Sequence, residues 1–216
     1  MSKEATARWR RRGWHAFVEG LPTVLPWQTL VVLGVVTIVL AAAGAVGAVW
    51  AFEGDPVARS VLGGISAGVS LAALVGAVAC ISRSRRAGRG LRRVRVLDEG
   101  LLFASLGDDD VVTADAAAVD KLGRLVAGQR AALPPLMLCQ LLLGVGGLGL
   151  LLAVGVLGLS WFALAGAPFT VLGAITSVWS LCDASGRTET VAAALADGTV
   201  VEPAPGSRRP TATWHD

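Results

Sequence analysis

The chain has 216 residues, of which 54% are hydrophobic and 16% are charged, and its mean hydropathy is +0.63. The charged fraction lies below the roughly 25% that is usual in soluble domains, and the apolar residues form long unbroken runs, which argues against a soluble fold. The formal net charge of +3 is poor evidence for binding to nucleic acid, because membrane topology accounts for the basic residues.

Residues 1–26 combine basic residues with aromatic side chains. Arginines beside Trp9, Trp14 and Phe17 suit a cytoplasmic segment that lies on lipid headgroups, where each Arg adds about 1 kcal/mol of attraction to anionic lipid. A simpler interpretation is a cluster of topogenic charge with two anchoring rings. The segment also resembles a cleaved export signal, but a second long apolar run follows at once, which favours a membrane anchor.

Four apolar runs are each long enough to cross a bilayer as a helix, which takes about 20 residues. The runs cover residues 27–50, 57–82, 135–157 and 160–182. Tryptophans near the ends of the first and fourth runs, such as Trp27 and Trp179, suit the membrane interfaces. Short loops join the first run to the second and the third to the fourth. We therefore predict one transmembrane hairpin at residues 27–82 and another at residues 134–182.

The basic residues predict the orientation of these spans. Arg59 is the only one of the 19 lysines and arginines on the side of the short loops. Because positive charge stays in the cytoplasm, both termini and the central segment are expected there. The bias toward Ala, Gly, Val and Arg is typical of a GC-rich bacterial genome. We therefore predict a multi-pass protein of the bacterial inner membrane.

Residues 83–133 form the predicted cytoplasmic insert. Apolar and polar residues partly alternate around a predicted turn at Glu99-Gly100, which predicts a short β-hairpin. A helix is predicted from about Thr113, which can cap it, with Asp115 at the positive end of its dipole. Its apolar stripe at helical spacing consists of Val119, Leu122, Leu125 and Val126. The pair Pro134-Pro135 is expected to separate this helix from the third span.

Residues 183–216 form the predicted cytoplasmic tail. One short helix is expected at about 188–195, followed by a turn at Asp197-Gly198. The end is rich in proline and polar residues, which predicts disorder.

The second span carries a small residue at every fourth position. This row consists of Ser60, Gly64, Gly68, Ala72, Gly76 and Cys80. Because lipid tails are as apolar as leucine, helices in a bilayer associate by close packing, which small residues permit. We therefore predict a helix-packing row, whose partner lies either within the chain or in a second copy. A row that lines a pore is the alternative.

Candidates for chemistry are few. No ionisable residue lies in the apolar interior of a predicted span, which argues against an ion-coupled transporter. The only histidines, His15 and His215, lie in the tails, so the spans offer no haem ligand. Three cysteines lie near the cytoplasmic ends of the spans: Cys80, Cys139 and Cys182. We expect them to be free thiols, and they give only weak support for a soft metal site.

One acidic cluster precedes the predicted helix of the insert. It comprises Asp108, Asp109 and Asp110, with Asp115 downstream. Carboxylates near a membrane can hold Mg²⁺ for diphosphate chemistry, but no partner motif accompanies them, so an exposed acidic loop is the favoured interpretation. We predict no catalytic residue, no cofactor and no metal site.

The sequence thus predicts an all-α membrane protein with four transmembrane helices arranged as two hairpins and a small cytoplasmic insert between them. The favoured function is a non-enzymatic accessory or scaffold component that packs through small-residue helix faces. One alternative is an oligomeric channel for a small solute or lipid. The other is a membrane-embedded enzyme of lipid metabolism that uses the aspartate cluster. Expected partners are membrane lipids with anionic headgroups, and a second copy or another membrane protein, but no nucleic acid.

Overall fold

The computed structural model describes residues 3–52, 56–87, 102, 105–107, 109–158 and 161–203. Within these ranges the chain forms five α-helices and no strand longer than an isolated bridge. The helices are α1 (Lys3–Val24), α2 (Trp27–Ala51), α3 (Val57–Ala87), α4 (Ala116–Leu157) and α5 (Trp161–Asp197). The predicted hairpin at Glu99-Gly100 and the end of the tail from residue 204 lie outside the described residues.

Four of the helices, α2 to α5, are long and apolar enough to cross a membrane. Large apolar side chains point outward from them, among them Ile38 (70% exposed) and Phe169 (77% exposed). Such exposure would be costly in water and is expected where lipid is the solvent. The prediction of a helical chain with four helices of spanning length and apolarity is therefore confirmed.

Helix α4 continues through Pro134-Pro135, so the expected break between the insert helix and the third span is wrong. The two prolines remove two backbone N–H donors, but the fixed φ of proline is compatible with a helix. Leu133 before the pair and Met137 after it are both buried. Packing on either side of the prolines thus favours the helical conformation over the local preference for a break.

The start of α4 also differs from the prediction. Asp115, rather than Thr113, occupies the position before the first helical residue, and its Oδ1 accepts a hydrogen bond from the Ala118 backbone at 2.7 Å. This is the usual geometry of an N-cap. Thr113 instead lies in an isolated parallel bridge with Val201 of the tail.

Helix α5 contains both the fourth apolar run and the helix predicted at about 188–195, with no break between them. It ends at Asp197, and Gly198 has a φ of 65°. The Thr199 backbone N–H donates to the Ala194 carbonyl at 3.0 Å, which completes a Schellman motif. The predicted turn at Asp197-Gly198 is therefore confirmed as a helix end.

The chain divides into two compact units. Unit 1 comprises the described parts of Met1–Gly20, Ser84–Pro134 and Trp179–Asp216, and unit 2 comprises those of Leu21–Arg83 and Pro135–Val178. Helices α4 and α5 contribute residues to both. Unit 2 contains most of the four apolar runs. Whether the five predicted segments behave as separate domains stays a prediction.

Unit 1 has a hydrophobic core of its own. Its buried residues are Ala5, Trp9, Leu102, Leu106, Val112, Leu122, Val126, Val191 and Ala192. Leu122, Leu125 and Val126 of the predicted stripe are buried, so the apolar face of this part of α4 packs inside unit 1. The segment before α4 joins the tail after α5 through a hydrogen bond from the Val201 N–H to the Val112 carbonyl at 2.9 Å.

Candidate functional site

In unit 2, α3 approaches α2 closely at two glycines of the predicted row. A Cβ on Gly64 would collide with the carbonyl of Gly44, and one on Gly68 would collide with the carbonyl of Leu40. Since the residue number falls on α2 while it rises on α3, the two helices run antiparallel. Backbone contact of this kind requires residues without side chains and maximises dispersion contacts between helices.

The remaining members of the row are buried along the same helix. Ser60, Ala72 and Cys80 are at most 6% exposed. A Cβ on Gly76 would lie 3.0 Å from Leu142 of α4 and 3.3 Å from Leu33 of α2. The row therefore faces α2 in its first half and the space between α2 and α4 in its second half. Its role as a functional site stays a prediction.

A second face of α3, which sequence reasoning did not assign to a partner, packs against glycines of α4. A Cβ on Gly149 would lie 3.0 Å from the Ser66 carbonyl, and one on Gly146 would lie 3.4 Å from Ala73 Cβ. The Ser70 hydroxyl donates to the Ser66 carbonyl at 2.8 Å, so it is satisfied within its own helix. The irregular spacing of the α4 glycines obscured this contact in the sequence.

Helices α4 and α5 also meet through small residues. A Cβ on Gly147 would lie 2.9 Å from Val171, and one on Gly144 would lie 3.4 Å from the Cβ of Ala174. The opposite order of the contacting residues again indicates antiparallel helices. Each successive pair among α2, α3, α4 and α5 in unit 2 thus includes a contact at glycine.

Two arginines bind backbone carbonyls at helix ends in unit 2. Arg59 donates to the carbonyl of Val156 in the last turn of α4. Arg83 donates to the Val24 carbonyl at 2.6 Å, where α1 ends, and to Thr29 Oγ1 at 3.1 Å. The last carbonyls of a helix have no hydrogen-bond donor within it and carry partial negative charge. A guanidinium at this position supplies both a donor and a positive charge. The spacing of Asp55 and Arg59, four residues apart, predicts an interfacial ion pair, but Asp55 lies outside the described residues.

In unit 1, α1 crosses α5 at another pair of glycines. A Cβ on Gly13 would collide with the Cys182 carbonyl, and one on Gly186 would collide with the Trp9 carbonyl. Trp9 is only 1% exposed, so the expectation that its ring lies on lipid headgroups is wrong. The close crossing brings the ring into the core of unit 1, where the Arg187 guanidinium lies 4.4 Å from its centroid.

The carboxylate of Asp110 is the partner of three α1 side chains. Trp9 Nε1 donates to it at 2.7 Å, and Arg12 and Arg8 pair with it at 3.1 and 3.6 Å. Its side chain is only 20% exposed, so Asp110 departs from the exposed acidic loop that the sequence predicts, whereas Asp109 and Asp115 are exposed. Sequence reasoning missed this contact because Trp9 and Asp110 are 101 residues apart.

The other members of the aspartate cluster have local roles. Asp109 Oδ1 accepts from the Val111 N–H at 3.3 Å within its own turn, and Asp115 caps α4. Asp108 lies outside the described residues. Each described carboxylate of the cluster therefore has a donor in the protein.

Polar pairs join the helices of unit 1. Arg10 forms a two-pronged pair with Asp183 at 2.8 and 3.2 Å, and its guanidinium lies 5.3 Å from the Trp179 ring. Arg130 of α4 pairs with Glu189 of α5, and this hydrogen bond raises the pKa of the guanidinium above its usual value. Paired geometry of this type is the stronger class of charged hydrogen bond.

An open cleft of about 510 Å³ lies beside α1 in unit 1. Its polar lining consists of Arg12, His15, Glu19, Asp110, Glu189, Thr190, Asp197 and Thr199. Among the described residues, no group of three or more His, Cys, Asp and Glu side chains has the geometry to hold a metal ion. Cys80, Cys139 and Cys182 are free and buried.

No protein-family model matches this chain, and neither does any curated protein or solved structure.

Proposed function

We propose that the chain is a non-enzymatic multi-pass membrane protein, an accessory or scaffold component whose membrane helices pack through small residues inside one chain. The spans form two hairpins, with both termini and the insert in the cytoplasm of a bacterial cell. The observation that carries the proposal is the backbone contact of Gly64 and Gly68 with α2, because it occupies the predicted row within the chain.

The pattern of glycine contacts supports the arrangement of the spans. Because α2 and α4 already pack against the row, no second copy of the chain is required to cover that face. Close backbone approach gives a rigid bundle, since glycine and alanine have no side-chain rotamers to order. A rigid bundle suits a protein that presents other surfaces to partners.

The aspartate cluster supports a structural role rather than an enzymatic one. A carboxylate that binds Mg²⁺ needs free lone pairs directed at the metal. Asp110 instead accepts from Trp9 and pairs with Arg12, and Asp115 caps a helix. These contacts favour a scaffold over the lipid-metabolism alternative.

The proposed partners are lipids with anionic headgroups and another membrane protein or a second copy of this chain. Helix α2 presents the surface for a protein partner, because none of its most apolar stretch is buried. Its outward side chains include Val32 (62% exposed) and Val39 (58% exposed).

The test is the mass of the purified protein in nanodiscs, for the wild type and for the double variant Gly64→Ile/Gly68→Ile. We expect the wild type and the double variant to have the same oligomeric state, because the row is filled within the chain. The double variant should lose stability, since the two side chains collide with the α2 backbone.

The matched control is Gly47→Ile on α2, where an added Cβ meets nothing within 4 Å. This variant should keep the wild-type stability to within about 1 kcal/mol. A defined wild-type multimer that dissociates in the Gly64→Ile/Gly68→Ile variant would contradict the proposal. It would place the row between copies and favour the channel.

A further inference from the structure

The contact between α3 and α4 in unit 2 repeats at intervals of three and four residues. We define the α3–α4 seam as Ser66, Ser70, Ala73, Ala77 and Cys80 of α3 together with Gly149, Gly146, Leu142 and Cys139 of α4. Within it, a Cβ on Gly149 would lie 3.0 Å from the Ser66 carbonyl, and one on Gly146 would lie 3.4 Å from the Cβ of Ala73. Because the residue numbers rise on α3 while they fall on α4, the two helices run antiparallel along the seam.

The two cysteines of the seam lie one heptad from a pair of positions that are in contact. Cys80 follows Ala73 by seven residues on α3, and Cys139 precedes Gly146 by seven residues on α4. Seven residues make nearly two full turns, so a step of seven returns each side chain to almost the same side of its helix. In antiparallel helices these two steps lead in the same direction in space. Cys80 and Cys139 therefore face each other across the seam, as Ala73 and Gly146 do.

The two helices stay in contact on both sides of the cysteine pair. Before the pair, a Cβ on Gly76 would lie 3.0 Å from the side chain of Leu142. After the pair, within unit 1, the Ser84 hydroxyl donates to the Ala132 carbonyl at 3.4 Å. The helices therefore do not diverge where the cysteines lie.

The separation of the helices along the seam suits a disulfide. The Cβ atoms of a disulfide lie about 3.5–4.5 Å apart. The equivalent Cβ positions of Ala73 and Gly146, one heptad away, are 3.4 Å apart. Both cysteines are free and buried, with exposed fractions of 6% for Cys80 and 2% for Cys139. Their side chains are also close enough to interact electrostatically.

We propose that Cys80 and Cys139 form an oxidation site, at which a peroxide converts the two facing thiols into a disulfide between α3 and α4. One thiol loses its proton, and its sulfur attacks a peroxide oxygen, which breaks the O–O bond, releases water and leaves a sulfenic acid. The second sulfur loses its proton and displaces the sulfenic hydroxyl group as water, which forms the S–S bond. In total, two thiols and one hydrogen peroxide give one disulfide and two molecules of water.

The facing arrangement distinguishes this pair from cysteine used only as a small apolar residue. Ala77, one turn before Cys80, is buried on the same side of α3 without a sulfur atom. The disulfide would close the chain between Cys80 and Cys139 into a loop and so restrict the unfolded chain. Thiol reductants would reopen it. The site goes beyond the proposed function, and it does not depend on the orientation of the spans because both thiols lie in unit 2.

The test counts free thiols on the full chain in nanodiscs that hold one copy each. The protein is treated with hydrogen peroxide, unfolded in SDS and labelled with a maleimide-linked polyethylene glycol, which adds mass at every free thiol. We expect three labels before oxidation and one label after it, since only Cys182 remains free. The intact mass should fall by two hydrogen atoms, and dithiothreitol should restore all three labels.

Substitutions identify the two sulfur atoms. Cys182→Ala should fall from two labels to none, whereas Cys80→Ala should keep both of its labels. The matched control combines Cys80→Ala with Val78→Cys, which moves the thiol to an outward position of α3 where Val78 is 66% exposed. This variant should form no disulfide, as judged from its intact mass.

Three labels on the peroxide-treated wild type would overturn the oxidation site. Loss of both labels from Cys80→Ala would assign the disulfide to Cys139 and Cys182 and would overturn it as well. A disulfide in the Val78→Cys control that forms as fast as in the wild type would show that the seam does not select the pair. A gain of oxygen atoms that dithiothreitol does not reverse would also contradict the proposal, because facing thiols should condense before further oxidation.

Discussion

At the scale of single residues, Asp110 joins the turn before α4 to α1. Its φ of 65° lies in the left-handed region, which an aspartate adopts at some cost. The hydrogen bond from Trp9 and the pairs with Arg12 and Arg8 offset that cost. The buried Trp9 N–H would otherwise lack an acceptor, and burying a polar group without a partner is unfavourable.

We expect Asp110→Ala to lower the free energy of unfolding by about 1–3 kcal/mol, because it leaves the Trp9 N–H unpaired. Asp110→Asn should cost less, since the amide oxygen still accepts and asparagine tolerates a positive φ. Denaturant unfolding in detergent, followed by tryptophan fluorescence, measures both.

The control for this pair is Asp120→Ala. Asp120 forms an exposed pair with Arg124 one turn away on α4, and such pairs contribute at most about 0.5 kcal/mol. Equal losses for Asp110→Ala and Asp120→Ala would show that Asp110 is not a structural link.

At the scale of elements, the crossings between helices are fixed by glycines. In unit 1, Gly13 and Gly186 let α1 lie directly against the backbone of α5. In unit 2, Gly44, Gly64 and Gly68 do the same for α2 and α3. Close backbone contact at glycine therefore occurs within both units.

We expect Gly186→Ala to displace α1 from α5 and to cost about 1–3 kcal/mol or more, because the new methyl group collides with backbone rather than with a movable side chain. Gly123→Ala on α4 is the matched control, since nothing lies within 4 Å of its added Cβ. That variant should gain about 0.5–1 kcal/mol from helix propensity.

Limited proteolysis measures this displacement directly. Trypsin should cut the arginine-rich part of α1 faster in Gly186→Ala than in Gly123→Ala. Identical cleavage rates in the two variants would contradict the role of the glycine crossing.

At the scale of the whole molecule, the distribution of charge predicts one orientation. Arg59, near the outer end of the second predicted span, is the only lysine or arginine on that side, and all others belong to the segments expected in the cytoplasm. The long helices α4 and α5 begin or end in unit 1 and pass into unit 2, so each joins a charged part to an apolar part.

Reporter fusions test this orientation. A fluorescent protein fused after Asp216 should fluoresce, and alkaline phosphatase at the same point should be inactive, because the tail is expected in the cytoplasm. Alkaline phosphatase fused after Glu53, in the short loop after the first span, should be active. The opposite result at both points would reverse the proposed topology.

The sequence by itself predicts the helical class, the four apolar helices and their starts at Trp27 and Val57. The physical reason is that an apolar run of this length satisfies its backbone hydrogen bonds in lipid only as a helix, so the composition of each run is sufficient. The turn at Asp197-Gly198 was equally predictable, since glycine favours the positive φ at a helix end.

Tertiary structure alone decided where the remaining helices begin and end, and which polar groups meet. Local signals predicted a break at Pro134-Pro135, but buried neighbours on both sides stabilise a continuous α4. Basic and aromatic residues predicted that Trp9 contacts lipid, whereas its acceptor, Asp110, lies 101 residues away in the chain. Such pairings depend on packing between distant segments, which no local pattern records.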